Sequence, residues 1–217
     1  MPAAAYRIEI PRPMMESGLM RQGGFGVYAG FPDAAICAQL YQEAAERYPT
    51  ATAQEHWDDD LEELRGGKPR RRLLTVEAGP LQDQLYAESR LSEILSSTCG
   101  VPIAPSGNRG SYSYYARPGD FLDLHRDVET CDLAMITCLY ETTEGAESGG
   151  ALVLYPERIH EPLSAIRARP RDGAVLVKLQ PGQTILMYGG VVPHLLLPVR
   201  EGQVRVISVL CFRALCG

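Results

Sequence analysis

From residue 109 onward the chain is written as short apolar or aromatic runs, each closed by glycine or proline. Ser111–Tyr115, Leu133–Tyr140, Ala151–Tyr155, Ala174–Leu179, Thr184–Tyr188 and Val204–Phe212 are rich in β-branched and aromatic residues. Arg117-Pro118-Gly119-Asp120, Ser148-Gly149-Gly150, Gln180-Pro181-Gly182 and Gly189-Gly190 punctuate them. Runs too short for helices, bounded by residues that supply turns, read as strands. The spacing predicts about eight strands in about 105 residues, the pattern of a double-sheet barrel or jelly roll.

The preceding residues read differently. A helix is expected over Ala34–Tyr48, where Ile36, Leu40, Ala44 and Tyr48 recur at helical spacing. Pro32 and Asp33 suit its start, and Pro49 forbids continuation. A second helix is expected from about Pro80 to Ser97, burying Leu81, Leu85, Leu91, Ile94 and Leu95 and closed by Gly100 and Pro102. The polar stretch between them, Trp57 to Arg72, reads as a surface loop with a short helix at Leu61–Arg65. No repeat or long linker divides the chain. The expectation is one α+β, mainly β domain over 1–217, with a jelly-roll (cupin-like) core at about 109–213 and N-terminal helices from about 1–108 packed against it.

Composition excludes some function classes. A formal charge of −6 argues against a protein that wraps a phosphate backbone. The one basic cluster, Lys68-Pro69-Arg70-Arg71-Arg72, lacks interleaved aromatics and reads as a solvated loop, or as a mobile lid over a carboxylated or phosphorylated substrate. No apolar run approaches the ~18 residues that cross a bilayer. The first residues carry no basic segment followed by an apolar one, so the expected compartment is the cytoplasm. The six cysteines form no C-x-x-C pair, and are expected to be reduced thiols of the core.

Chemistry concentrates in the four histidines, His56, His125, His160 and His194. His125-Arg126-Asp127 is an H-x-D, and in an extended segment residues i and i+2 share a face. His194 follows Pro193 at the head of Leu195-Leu196-Leu197. Two histidines and one carboxylate can cap one face of a metal and leave the other open. Taken alone, the same residues also suit a strand histidine paired with Asp127 and a half-buried imidazole.

The motifs come as an ordered set. Tyr115, ten residues before His125-x-Asp127, is followed by Gly149-Gly150-Ala151-Leu152, Pro181-Gly182-Gln183-Thr184, His194-Leu195-Leu196-Leu197-Pro198-Val199 and Gly202-Gln203-Val204-Arg205. This order resembles the Fe(II)- and 2-oxoglutarate-dependent dioxygenases, in particular their prolyl-hydroxylase-like branch, over residues 110 to 213. The resemblance implies that His125, Asp127 and His194 hold Fe(II) and that Arg205 pairs with the far carboxylate of the cosubstrate 2-oxoglutarate. Tyr115 matches a tyrosine that in some relatives hydrogen-bonds the cosubstrate, and a core aromatic is the other reading. Thr137 and Leu139 are expected to share a strand face that lines the cosubstrate pocket. Where many relatives carry Ser or Thr two residues after the arginine, this chain has Ile207, with Ser208 pointing the other way. Asp127 stands where halogenating relatives have Gly or Ala, so hydroxylation or another oxidation is implied. The reaction implied consumes O2 and releases succinate and CO2.

The substrate is less legible. Arg109 and Arg117 flank the first strand and are candidates for a substrate carboxylate, Tyr112 for the pocket mouth. Arg126 is expected to point away from the metal, and Arg200, in the Val199-Arg200-Glu201-Gly202 turn, is a poorer candidate than Arg205 for the cosubstrate carboxylate, with solvent as the other reading. Gly23-Gly24-Phe25-Gly26 lacks the following βα unit of a nucleotide site. The expected partner is a small-molecule substrate such as an amino acid or biosynthetic intermediate, with no nucleic acid and no membrane. A peptidyl hydroxylase and a non-catalytic cupin-like metal-binding module are the alternatives.

Overall fold

The computed structural model describes residues 8–58, 65–143 and 149–216. The expected short helix at Leu61–Arg65, save its last residue, and Ser148 of the Ser148-Gly149-Gly150 turn lie outside them.

The strands are β1 (Phe25–Ala29), β2 (Thr52–His56), β3 (Arg71–Glu77), β4 (Ile103–Pro105), β5 (Ser111–Tyr115), β6 (Phe121–His125), β7 (Leu133–Glu141), β8 (Leu152–Leu154), β9 (Val175–Val177), β10 (Gln183–Met187), β11 (His194–Leu196) and β12 (Arg205–Ala214). They form one antiparallel sheet in the order β1-β10-β7-β12-β5-β3-β6-β11-β8-β9, with β2 added to β3 and β4 to β12. The sheet curls into the mainly β, jelly-roll-like architecture expected, and β5 to β12 are the eight strands anticipated after residue 109.

The N-terminal third is mixed α and β, and it supplies four strands, β1 to β4, that the sequence pattern did not locate. One of them, β3, lies inside the sheet. Its C-terminal half pairs with β5 (Leu74↔Tyr114, Glu77↔Ser111) and its first residues with β6 (Arg71↔Leu122, Arg72↔Phe121). It therefore joins the β1-to-β5 half of the sheet to the β6-to-β9 half. The basic cluster is accordingly a loop only as far as Arg70, and Arg71 and Arg72 open β3. Leu73 and Thr75 alternate with Leu74 and Val76 on a two-sided strand, and the flanking arginines are held by carboxylates. Arg70 pairs with Asp123 at 2.8 Å, and Arg72 lies 3.6 Å from Asp120 and 3.8 Å from Glu55.

The helices are α1 (Arg12–Met15), α2 (Gly18–Arg21), α3 (Ala34–Arg47), α4 (Pro80–Ala87), α5 (Ser89–Cys99) and α6 (Leu163–Ala168). The side chain of Asp33 caps α3, accepting from the Ile36 amide at 2.9 Å. The single helix expected after Pro80 is two, because Glu88 is extended (φ −67°, ψ 122°). The apolar phase explains the break: Leu85 and Leu91 are six residues apart, about 120° out of register at 100° per residue. A break at Glu88 returns Leu91, Leu95 and Cys99 to the core, while Ile94 stays exposed. Gly100, at φ 77°, ends α5 in the left-handed conformation that glycine adopts without penalty. Leu40, Ala44, Leu85, Leu91 and Leu95 then pack on Tyr112, Tyr114, Met135, Leu210 and Phe212 of the sheet.

A second correction concerns the cysteines. Cys131 and Cys211 are joined in a disulfide, with Cα atoms 4.9 Å apart across 80 residues of sequence. The sheet brings them together: the Asp132 amide donates to the Phe212 carbonyl, next to each cysteine. Cys37, Cys99, Cys138 and Cys216 are free. Among the described residues no helix is long and apolar enough to cross a membrane.

Candidate metal centre

His125 ends β6 and His194 begins β11, and the antiparallel register sets them opposite each other. Their ring centroids are 4.2 Å apart. Each imidazole is oriented by the carbonyl two residues before it: His125 Nδ1 lies 2.8 Å from the Asp123 oxygen and His194 Nδ1 2.9 Å from the Val192 oxygen. A carbonyl only accepts, so each Nδ1 carries the proton and each Nε2 keeps a lone pair. Both Nε2 atoms face Asp127 Oδ1, at 3.6 Å from His125 and 3.7 Å from His194. The three ligand atoms lie within 4.8 Å of one another.

Asp127 is held from two sides. Its amide donates to the Gly189 carbonyl at 2.9 Å. Arg65 clamps the following turn, donating from Nε to the Asp127 carbonyl (3.2 Å) and from Nη2 to those of Val128 and Cys131. Gly189 also makes room for the carboxylate, since a Cβ there would overlap Asp127 Oδ2. Electrostatics favour the ligand forms. Burial, reinforced by His125, lowers the His194 pKa to about 4, so its imidazole is neutral at physiological pH. Burial alone would raise the Asp127 pKa, but His194, His125 and Arg65 outweigh it and hold the carboxyl below its ordinary value. Two imidazoles and a carboxylate, converging from one side on an open cavity, fit a divalent non-haem iron.

The cavity has a volume of about 430 Å³, in the range of small-molecule sites. The β6-to-β9 half contributes His125, His194, Leu122 and Leu196, β3 contributes Arg71, Leu73 and Thr75, and the other half contributes Tyr115, Arg205 and Ile207. Arg205 is 1% exposed. Its Nη1 donates to Glu141 Oε2 (3.0 Å) and to the Leu179 carbonyl (3.3 Å), while its Nε is buried with no partner. Glu141 is shared with Lys178, whose Nζ lies 3.0 Å from the same oxygen. Burial pushes the Glu141 pKa up, and hydrogen bonds from Lys178, Arg205 and Gln203 more than reverse this. The cluster thus holds two cations and one anion around an unsatisfied donor, a fit for one carboxylate guest. Sequence reasoning missed Glu141 and Lys178. The available signal was a single charge at the end of one apolar strand run and another set within a second.

Tyr115 is the register partner of Arg205 and lies buried in the cavity wall. Burial raises its hydroxyl pKa, and the nearby charges of Arg205 and Arg71 oppose the rise. Ile207 faces the cavity, whereas Ser208 turns to the helices and accepts from Gln82 Nε2 at 2.7 Å.

Five expected site residues lie elsewhere. Thr137 Oγ1 bonds Thr184 Oγ1 at 2.7 Å and Leu139 packs in the helix-side core. Strand alternation gives the cavity face of β7 to Ala134 and Ile136 instead. The same alternation turns Tyr112 to the helices, where its hydroxyl donates to Glu43 Oε2 at 2.5 Å. Arg109 lies on the surface, paired with Glu77 and Asp83. Arg117 pairs with Glu55 and Asp120. Arg126 is buried away from the metal ligands and donates to the carbonyls of Val191, Ile159 and Glu161. Arg200 is exposed.

No protein-family model and no curated protein matches the sequence. Solved structures do match in fold. A prolyl-4-hydroxylase from Pseudomonas putida superposes with a TM-score of 0.59 at 19% identity, over 90% of this chain and 95% of that one. EctD from S. alaskensis, solved with 2-oxoglutarate and 5-hydroxyectoine, gives 0.64 at 19% identity, over 98% and 85%. The 2-oxoglutarate-dependent epimerase SnoN of nogalamycin biosynthesis gives 0.66 at 14% identity, over 89% and 79%. The chain therefore has the fold of the 2-oxoglutarate- and Fe(II)-dependent oxygenases, prolyl hydroxylases among them.

Proposed function

We propose that the protein is an Fe(II)- and 2-oxoglutarate-dependent oxygenase that oxidises an unactivated C–H bond of a small molecule. The observation that carries this reading is the conjunction, in one cavity, of two free imidazole Nε2 atoms on Asp127 with the buried, unsatisfied Nε of Arg205. His125, Asp127 and His194 hold the metal. Arg205 takes the far carboxylate of 2-oxoglutarate, and Tyr115 supplies the hydroxyl that Ile207 cannot. Loaded with iron and 2-oxoglutarate, such a centre couples O2 to C–H oxidation and releases succinate and CO2. The protein's own part is to orient the ligands through backbone carbonyls, keep His194 neutral, and line the reaction space with apolar side chains such as Leu122, Leu152 and Leu196. A small molecule is favoured over a peptide because the cavity is compact. The likeness to EctD, crystallised with a small hydroxylated compound, supports the same choice.

The test is anaerobic titration of the metal-free protein with Fe(II) and 2-oxoglutarate, following the visible charge-transfer band of the chelate. A band in the wild type, lost in His125→Ala and requiring at least tenfold more 2-oxoglutarate in Arg205→Ala, is the expected outcome. Fe(II) binding without a band, or Arg205→Ala with unchanged affinity, turns the reading to a metal-binding module without cosubstrate.

A further inference from the structure

Arg71 stands apart from the arginines around it. Arg70 and Arg72 both have carboxylate partners, as described above. Arg71 alternates to the inner face of β3 and lines the metal cavity. Its Nε donates to the Pro69 carbonyl at 3.2 Å. Among the described residues no carboxylate lies within salt-bridge distance, and no hydrogen bond reaches either terminal nitrogen. Burial without a counter-ion pulls its pKa down, although a guanidinium remains charged at physiological pH. A half-buried, unpaired guanidinium is costly unless a guest supplies the missing anion.

Register fixes where that anion would sit. Arg71 pairs with Leu122 of β6, three residues before His125, so its backbone is about 10 Å along the strand from the first metal ligand at ~3.4 Å per residue. It is separated from Arg205 by β5, whose Tyr115 lies beside both. The cavity thus carries two guanidinium groups, one on each side of Tyr115. The charges leave room for a further anion. A divalent metal, the Asp127 carboxylate, Arg205 and Arg71 carry three positive charges between them, with Glu141 and Lys178 cancelling. Doubly charged 2-oxoglutarate removes two. One positive charge remains, and Arg71 is where it is unpaired. Ser113 and Tyr115 add hydroxyls with no hydrogen-bond partner among the described residues, and among those residues Asp127, a metal ligand, is the one carboxylate in the cavity wall.

We propose that Arg71 is the substrate-recognition residue, and that the substrate is a small molecule bearing one carboxylate, held there while the carbon to be oxidised faces the metal. A planar guanidinium takes a carboxylate through two parallel hydrogen bonds, which fixes orientation as well as affinity. The inference rests on the oxygenase reading above, and its test separates the two.

The probes are propionate and its uncharged match propionamide, added to protein loaded with Mn(II) and 2-oxoglutarate. The readout is paramagnetic relaxation of the probe's protons by the bound Mn(II), which needs no turnover. Propionate is relaxed at least fivefold more strongly than propionamide in the wild type. Arg71→Gln removes the difference, Arg71→Lys retains part of it, and both bind 2-oxoglutarate within twofold of wild type by calorimetry. Equal relaxation of the two probes in the wild type, or a difference that survives Arg71→Gln, overturns the proposal. So does a tenfold or larger loss of 2-oxoglutarate affinity in Arg71→Gln, which would place Arg71 in the cosubstrate site. Failure of the wild type to bind 2-oxoglutarate in the presence of Mn(II) counts instead against the oxygenase reading. The propionate comparison with Mn(II) alone still tests Arg71 in that case.

Discussion

Two residues outside the ligand set control the site by volume and by charge. Gly189 leaves the space that Asp127 occupies, so Gly189→Ala puts a methyl group on Asp127 Oδ2 and displaces the carboxylate. The expected result is at least 100-fold weaker Fe(II) binding in calorimetry, with a fold destabilised by only about 1–3 kcal/mol of overpacking. Retained metal affinity would show that Asp127 is not a ligand. Glu141 acts by charge. It is buried between Arg205 and Lys178, and replacing it leaves two buried cations facing each other. Glu141→Gln is expected to cost about 3 kcal/mol in denaturant unfolding at pH 7. The pH dependence has a definite sign. The folded-state pKa of Glu141 lies below its ordinary value, so its contribution is complete above the usual carboxylate range and fades as pH falls through the folded value. The gap between wild type and Glu141→Gln therefore narrows on acidification from pH 7 to pH 3. A gap that stays constant would mean Glu141 is not ionised in the fold.

At the scale of elements, what the sequence made legible was what recurs locally. The strands after residue 109 announce themselves because each is a β-branched or aromatic run with a turn at its end. His125-x-Asp127 is readable because period two places both side chains on one face. β3 was hidden because its first residues, Arg71 and Arg72, are charged, and their strand partners Leu122 and Phe121 lie about 50 residues away. The break at Glu88 depends on the buried side of the helix changing phase, which a list of apolar residues conceals. The parity error on β7 has the same origin. Thr137 and Leu139 do share a face, but which face meets the cavity is set by pairing with β12 and β10. The disulfide is likewise a product of pairing, since nothing near Cys131 points to Cys211. It joins the segment preceding β7 to β12 and closes a loop of 80 residues. Chain entropy for such a loop gives about 4.5 kcal/mol of stability. Thiol titration of the denatured, unreduced protein should find four reactive cysteines, and reduction should lower the denaturation midpoint accordingly. Six reactive thiols and an unchanged midpoint would contradict the link.

For the whole molecule, the division of the sheet assigns different work to its halves. His125 and His194 belong to the β6-to-β9 half, and Asp127 follows directly on β6. Arg205 and Tyr115 belong to the other half, and β3 is the strand that pairs with both. On the proposed function, a metal bound to the triad stabilises one half, whereas 2-oxoglutarate held by metal and Arg205 together ties the two halves across the cavity. Binding raises stability by mass action, about 2.7 kcal/mol at a hundredfold excess over Kd, or roughly 5–11 °C in Tm for a domain of this size. The expected pattern under anaerobic conditions is a rise of that order with Mn(II) alone and a further rise when 2-oxoglutarate is added. 2-Oxoglutarate alone, without its anchor on the metal, produces little. Arg205→Ala keeps the metal increment and loses the cosubstrate increment, and His125→Ala loses both. Simple additivity, with the same 2-oxoglutarate shift whether or not metal is present, would mean that the two sites do not share a ligand, and that Arg205 serves the fold alone.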